Sequence, residues 1–290
     1  MKKIFWLASY PKSGNTWLRA ILCSLFFSKN GKFDFSLLSK IQYFDELKNY
    51  DFVKNINIED FNNLHLLSHI SKYWLKAQEL VDINGDSAFF KTHSANIICD
   101  NKYHYTSNKT TRGVILIIRD PRDVIVSYAN FQNKSIDETI KIVTDSNIVT
   151  KSKDSKFGLP MAQLNWETYY RSWFVLDVPK LLIKYEDMLI DPQKSIEILI
   201  SFFKNKFNIN FNNENSLIAN ALETTNFNYL QKKEKEIGYI EANKLFNSTK
   251  DKKFYNVGKS NQWKNLLTKK QVTTIENNFS KLMKEVGYLN

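Results

Sequence analysis

Cysteine is nearly absent from this chain of 290 residues: Cys23 and Cys99 are the only two, both in apolar contexts and without metal-ligand spacing. That excludes a disulfide framework and a structural zinc site, and it fits a reducing cytoplasm. Glycine and proline are few, eight and five residues, and no stretch reads as a linker that would divide the chain. No apolar run approaches the roughly 20 residues of a membrane span. The opening MKKIFWLASYPK begins with two lysines and a short apolar run, as a signal peptide would, but Pro11 and Lys12 interrupt it and no small-residue cleavage pattern follows. It reads as a buried strand.

What is present is a large apolar fraction and an excess of positive charge. At 34.1 kDa and 43% hydrophobic residues, the chain can bury one sizeable core, and a single domain over residues 1–290 is expected. Lys and Arg number 41 against 30 Asp and Glu, a formal net charge of +11. Such a balance attracts polyanions, anionic membrane surfaces or small phosphorylated ligands. The lysines are scattered, however, so a few placed cations matter more than the sum.

Strand-to-helix junctions recur along the chain. Lys3 to Ser9 is almost continuously apolar, and Thr16 to Phe27 carries apolar residues at helical intervals. Ser87 to Thr92 and Gly113 to Arg119 read as further buried strands, the second β-branched enough for the centre of a parallel sheet. After it, Asp120 can cap and Pro121 can occupy the first turn of a helix running through Phe131. Leu181 to Tyr185 repeats the pattern before a helix opened by Asp191 and Pro192 and reaching about Phe203. The expected fold is α/β, a doubly wound parallel sheet flanked by helices. Met161 to Val175 and Lys269 to Val286 have helical spacing and read as covering helices. Lys29 to Asn63, Thr144 to Phe157 and Lys232 to Asn256 lack clear periodicity and read as loops, lids or short irregular helices.

The first junction, LASYPKSGNTWLRAIL, has the chemistry of an anion site. Backbone N–H groups at a helix N-terminus favour an anion; Gly14 permits close approach, Ser13 and Thr16 add hydroxyls, and Lys12 adds a full charge. A Walker A loop places its Lys after the last Gly, whereas here Lys12 precedes the only one, which disfavours a nucleoside triphosphatase.

YPKSGNTW resembles the 5′-phosphosulfate loop of the sulfotransferases that use 3′-phosphoadenosine 5′-phosphosulfate, and RDPRDVIVSYANF resembles their 3′-phosphate motif. FFKTHSA is similar to the Lys-Thr-His segment of the cytosolic branch, KYEDM to its Tyr-Glu-Asp-Met turn, and TNF at 225–227 to its Thr-Ser-Phe adenine contact. These matches run from residue 4 to about 268 in the family's order. The C-terminal pattern, roughly Arg-Lys-Gly-x-x-Gly-Asp-Trp-Lys, is met only at Gly258, Trp263 and Lys264, with Asn256 and Val257 where the Arg-Lys pair would stand.

The resemblance implies a P-loop-like sulfotransferase fold and a division of labour. Lys12, Ser13, Gly14, Asn15 and Thr16 would hold the 5′-phosphate, with Lys12 stabilising charge on the leaving oxygen. Arg119 and Ser127, with Gly258 and Lys259 nearby, would take the 3′-phosphate. Trp17, Tyr185, Thr225 and Phe227 would frame the adenine, His93 would be the base, and Lys91 would steady the sulfuryl oxygens. It also implies a small hydroxylated acceptor, less readily an amine, with no metal, nucleic acid or membrane partner. A basic nucleotide- or polyanion-binding protein with a non-catalytic phosphate loop is the competing reading; it draws on the charge and the C-terminal departure but leaves Lys91 and His93 unexplained.

Overall fold

The computed structural model describes residues 3–54, 63–81, 87–150, 158–237 and 257–290. Strand β1 (Lys3–Ser9) leads through a short loop into helix α1 (Asn15–Phe27). Two 3-10 turns then flank β2 (Gln42–Tyr43), and α2 (Asn63–Ser71) and α3 (Trp74–Leu80) precede β3 (Ser87–Thr92). A small ribbon of β4 (Ile98–Cys99) and β5 (Tyr103–His104) separates β3 from β6 (Thr111–Ile118). Next come α4 (Pro121–Gln132), α5 (Ile136–Thr144), a second ribbon of β7 (Val149–Thr150) and β8 (Met161–Ala162), and α6 (Trp166–Phe174). β9 (Lys180–Lys184) is followed by α7 (Tyr185–Ile190), α8 (Pro192–Phe207), α9 (Glu214–Thr225), α10 (Phe227–Ile237), α11 (Trp263–Leu266) and α12 (Lys269–Glu285).

The main sheet has five strands in the order β2-β3-β1-β6-β9, all pairings parallel. Alternation along its central strands builds two cores. Ile4, Trp6 and Ala8 of β1 join Val114, Leu116 and Ile118 of β6 on one face, packed with Trp166, Trp173 and Phe279. Phe5 and Leu7 join Ile115 and Ile117 on the other, packed with α1, α8 and α9. A parallel sheet covered on both faces is buried on both, which is why its strands read as unbroken apolar runs.

The expected junctions are present, with local differences. Asp120 accepts from the Arg122 N–H at 2.9 Å and Pro121 starts α4; Asp191 accepts from the Lys194 N–H at 2.8 Å and Pro192 starts α8. The helix expected over Met161 to Val175 is a correction: Met161 and Ala162 form β8, Leu164 adopts φ 56°, and Asn165 caps α6 by accepting from Thr168 N–H at 2.7 Å. A left-handed residue followed by a side-chain cap cannot lie inside one helix. The Tyr185 turn is itself a helix, α7, and α10 runs through Ile237 into the interval expected to be irregular. Residues 55–62, 151–157 and 238–256 of the three irregular intervals lie outside the described residues.

Candidate active site

β1 lies where the sheet order reverses, with β3 on one side and β6 on the other, so the loops at the strands' C-terminal ends open into one crevice. Residues 10–14 follow β1, His93 follows β3, Arg119 follows β6 and Tyr185 follows β9.

The loop after β1 is built around two left-handed residues, Lys12 at φ 67° and Gly14 at φ 99°. A Cβ on Gly14 would fall 2.6 Å from the Tyr185 ring, so glycine is needed for both conformation and space. Beneath the loop, Tyr170 of α6 donates to the Ile117 carbonyl at 2.9 Å, takes the Tyr10 N–H at 3.4 Å, and bonds the Ser13 hydroxyl at 3.2 Å. Asn15 Nδ2 reaches back to Ser9 Oγ at 3.0 Å. Thr16 is buried in the first turn of α1. Lys12 lays its ammonium over the Phe131 ring, 4.2 Å from the centroid. Burial and the Arg119 charge push it down to about 8.

Arg119, only 6% exposed, forms the opposite rim. Its guanidinium stacks on Tyr185 at 4.5 Å and donates to the carbonyls of Lys12 at 3.2 Å and Lys259 at 3.0 Å. Trp17 meets Tyr185 edge-on at 5.9 Å. Arg119 Nε and Trp17 Nε1 are buried donors with no acceptor among the described residues, as expected of walls that await a polar, anionic ligand.

Ser127 is half-buried on the second turn of α4. Phe227 begins α10 and packs against Gly258, where a Cβ would come within 2.4 Å of the ring. Thr225 is buried, its hydroxyl donating to the Ala221 carbonyl at 2.7 Å. Lys259 has an exposed side chain; its carbonyl is what meets Arg119.

Across the crevice, His93 stands one residue beyond β3. Nδ1 donates to the Ser9 carbonyl at 2.7 Å, which fixes the tautomer and leaves Nε2 with its lone pair. Burial, the Lys91 and Lys12 charges hold it down at about 4, against the opposing pull of the Ser9 carbonyl. Tyr43 packs edge-on against His93 at 5.8 Å and lies under the Lys91 ammonium at 5.0 Å; its hydroxyl reaches the Met161 sulfur.

Several supporting residues escape a motif reading. Tyr170 hides in an aromatic stretch that reads as core. Asp123, inside RDPRD, accepts from the Asn261 N–H at 2.6 Å and the Trp263 N–H at 3.1 Å and thereby seats the C-terminal segment on α4. Arg122 pairs with Asp120 and Glu276 and stacks on Trp263 at 3.9 Å. Asp123 and Arg122 stand inside RDPRD, but only the fold shows the partners they hold in the C-terminal segment.

The model of the Sulfotransferase domain matches residues 2–287. Flavonol 3-sulfotransferase of Flaveria bidentis is 23% identical over 278 residues, covering 93% of this chain and 78% of that one. Cytosolic sulfotransferase 17 of Arabidopsis thaliana is 23% identical over 295 residues, covering 99% and 76%. The crystal structure of mouse sulfotransferase SULT7A1 complexed with PAP superposes with a TM-score of 0.60 at 18% identity, covering 99% of this chain and 86% of that one, which establishes the shared fold. With a domain match over nearly its whole length, and the loop after β1 and His93 meeting at adjacent strand ends, the chain belongs to the sulfotransferases.

Proposed function

We propose that this sulfotransferase moves the sulfuryl group of 3′-phosphoadenosine 5′-phosphosulfate to a hydroxyl of a small molecule, with His93 as general base. The observation that carries this reading is one hydrogen bond: Ser9, the last residue of β1 before the phosphate loop, orients the His93 ring through its carbonyl. Base and anion loop are therefore set by the same residue.

The loop N–H groups, with Ser13 and Thr16, would hold the 5′-phosphate, and Lys12 would neutralise charge as the S–O bond breaks. His93 Nε2 would take the hydroxyl proton as the new O–S bond forms, releasing adenosine 3′,5′-bisphosphate. Lys91 would steady the sulfuryl oxygens. Arg119 and Ser127 would select the 3′-phosphate, and Trp17, Tyr185 and Phe227 would enclose the adenine. A hydroxyl suits this centre better than an amine, because Lys12 and Lys91 repel an ammonium ion as they repel the imidazolium. The relatives named as cytosolic support a cytoplasmic location; among the described residues no helix is long and apolar enough to cross a membrane.

Calorimetry with adenosine 3′,5′-bisphosphate, 5′-AMP and Mg-ATP tests the donor. Preference for the bisphosphate without metal is expected; preference for Mg-ATP, or no nucleotide binding, overturns the reading. His93→Ala should retain bisphosphate binding and lose transfer.

A further inference from the structure

Behind the base lies a carboxylate that the transfer chemistry leaves unused. Asp45, two residues beyond β2, is 2% exposed. Its Oδ2 accepts from Thr92 Oγ1 at 2.7 Å, its Oδ1 from Ser94 Oγ at 3.2 Å, and the Tyr105 hydroxyl reaches both oxygens at 3.2 Å. Each of these donors is a neutral hydroxyl. The titratable groups around the carboxylate are Tyr43 of β2, Tyr50 of the following 3-10 turn, Tyr105 after β5 and Tyr169 of α6, with Glu46 next in the chain. Burial raises the Asp45 carboxyl to about 6 even against its hydrogen bonds. The folded chain thus binds this proton more tightly than the unfolded chain, and the group contributes less stability as pH rises from about 4 to about 6. Stability alone does not explain a carboxylate there.

Its partners do. Thr92 and Ser94 are the two neighbours of His93 in the chain, and one carboxylate grips both. The Ser94 N–H also donates to Thr92 Oγ1 at 2.9 Å, tightening the turn around the histidine. The same segment ties down the walls: the Phe44 N–H donates to the Lys91 carbonyl at 3.0 Å, and the Asp45 carbonyl accepts from the Leu159 N–H at 2.9 Å.

Resting on the sulfotransferase reading, we propose that Asp45 is a positioning residue for the base: its carboxylate clamps Thr92 and Ser94 on either side of His93 and so aims Nε2 at the acceptor. Protonation turns one acceptor oxygen into a donor, so one of the clamped hydroxyls must reverse its role or give up its bond, and the clamp rearranges. Transfer then weakens on acidification well before the imidazole itself takes a proton.

The test follows kcat from pH 4 to 8 with 2-naphthol as acceptor, for the wild type and Asp45→Asn, beside a 15N-histidine NMR titration of the wild type, with the His93 signal assigned by its loss in His93→Ala. The wild type should lose kcat near pH 6, and its His93 signal should step there. Asp45→Asn should lower kcat about tenfold or more, leave the donor KM within about twofold, and move the acid limb toward the imidazole value of about 4. A His93 signal flat through pH 6 overturns the proposal whether or not the variant folds, as does wild-type kcat in a folded Asp45→Asn protein. Absence of wild-type transfer would count against the sulfotransferase chemistry instead, and the NMR step would still decide the role of Asp45.

Discussion

At the scale of single residues, the crevice depends on groups held away from their ordinary state. Lys12 is pushed down to about 8, so its ammonium predominates at neutral pH and is lost as pH rises through that value in the unliganded protein. Affinity for adenosine 3′,5′-bisphosphate should therefore fall above about pH 8. Lys12→Met should weaken binding by about 10- to 100-fold, the size of a charge-assisted hydrogen bond, and flatten the dependence; calorimetry across pH 6.5–9.5 checks both. Gly14→Ala meets a left-handed φ of 99° and the Tyr185 ring together. It should cost about 1–3 kcal/mol, read by thermal or denaturant unfolding, and weaken bisphosphate binding in the same variant.

Polar side chains tie elements together at the crevice. Asp123 of α4 holds the backbone of the segment leading into α11, and Arg119 meets the Lys259 carbonyl from the other side. Asp123→Ala leaves two N–H groups without their acceptor, a loss of about 1–3 kcal/mol for each that stays buried. The expected outcome is faster limited proteolysis near residues 257–263 and weaker bisphosphate binding, while His93 keeps its NMR shift. At this scale the sequence was most legible where one physical cause dominated. β1, β3 and β6 were readable because both faces are buried, β9 by its short apolar run at the sheet edge, and α4 and α8 because Asp and Pro open them. The break between β8 and α6 was not, since Leu164 is apolar and its left-handed backbone leaves no mark in the periodicity. The motif residues at the strand ends stood out by order and type. Asp45 and Tyr170 did not, because their hydrogen-bond partners lie 47 and 157 positions away and no local pattern connects them.

For the molecule as a whole, the two faces of the sheet are separate cores, and each should carry its own share of stability. Trp173, fully buried on the face that also holds Trp6 and Tyr105, donates from its indole to the Ser94 carbonyl at 3.1 Å. Trp173→Ala should cost about 3–5 kcal/mol by chemical denaturation. Because Ser94 borders His93, the proposed base, the variant should also lose transfer more than bisphosphate affinity. The placement of β1 has a consequence for how the chain is made. Its central position means that Trp6 finds its hydroxyl partner at Thr111, 105 positions later. During synthesis the first apolar strand emerges early and waits, unpaired on that side, until β6 has left the ribosome. The N-terminal strand is therefore completed only once β6 has emerged, and a nascent chain halted before residue 111 should depend on chaperones to stay soluble.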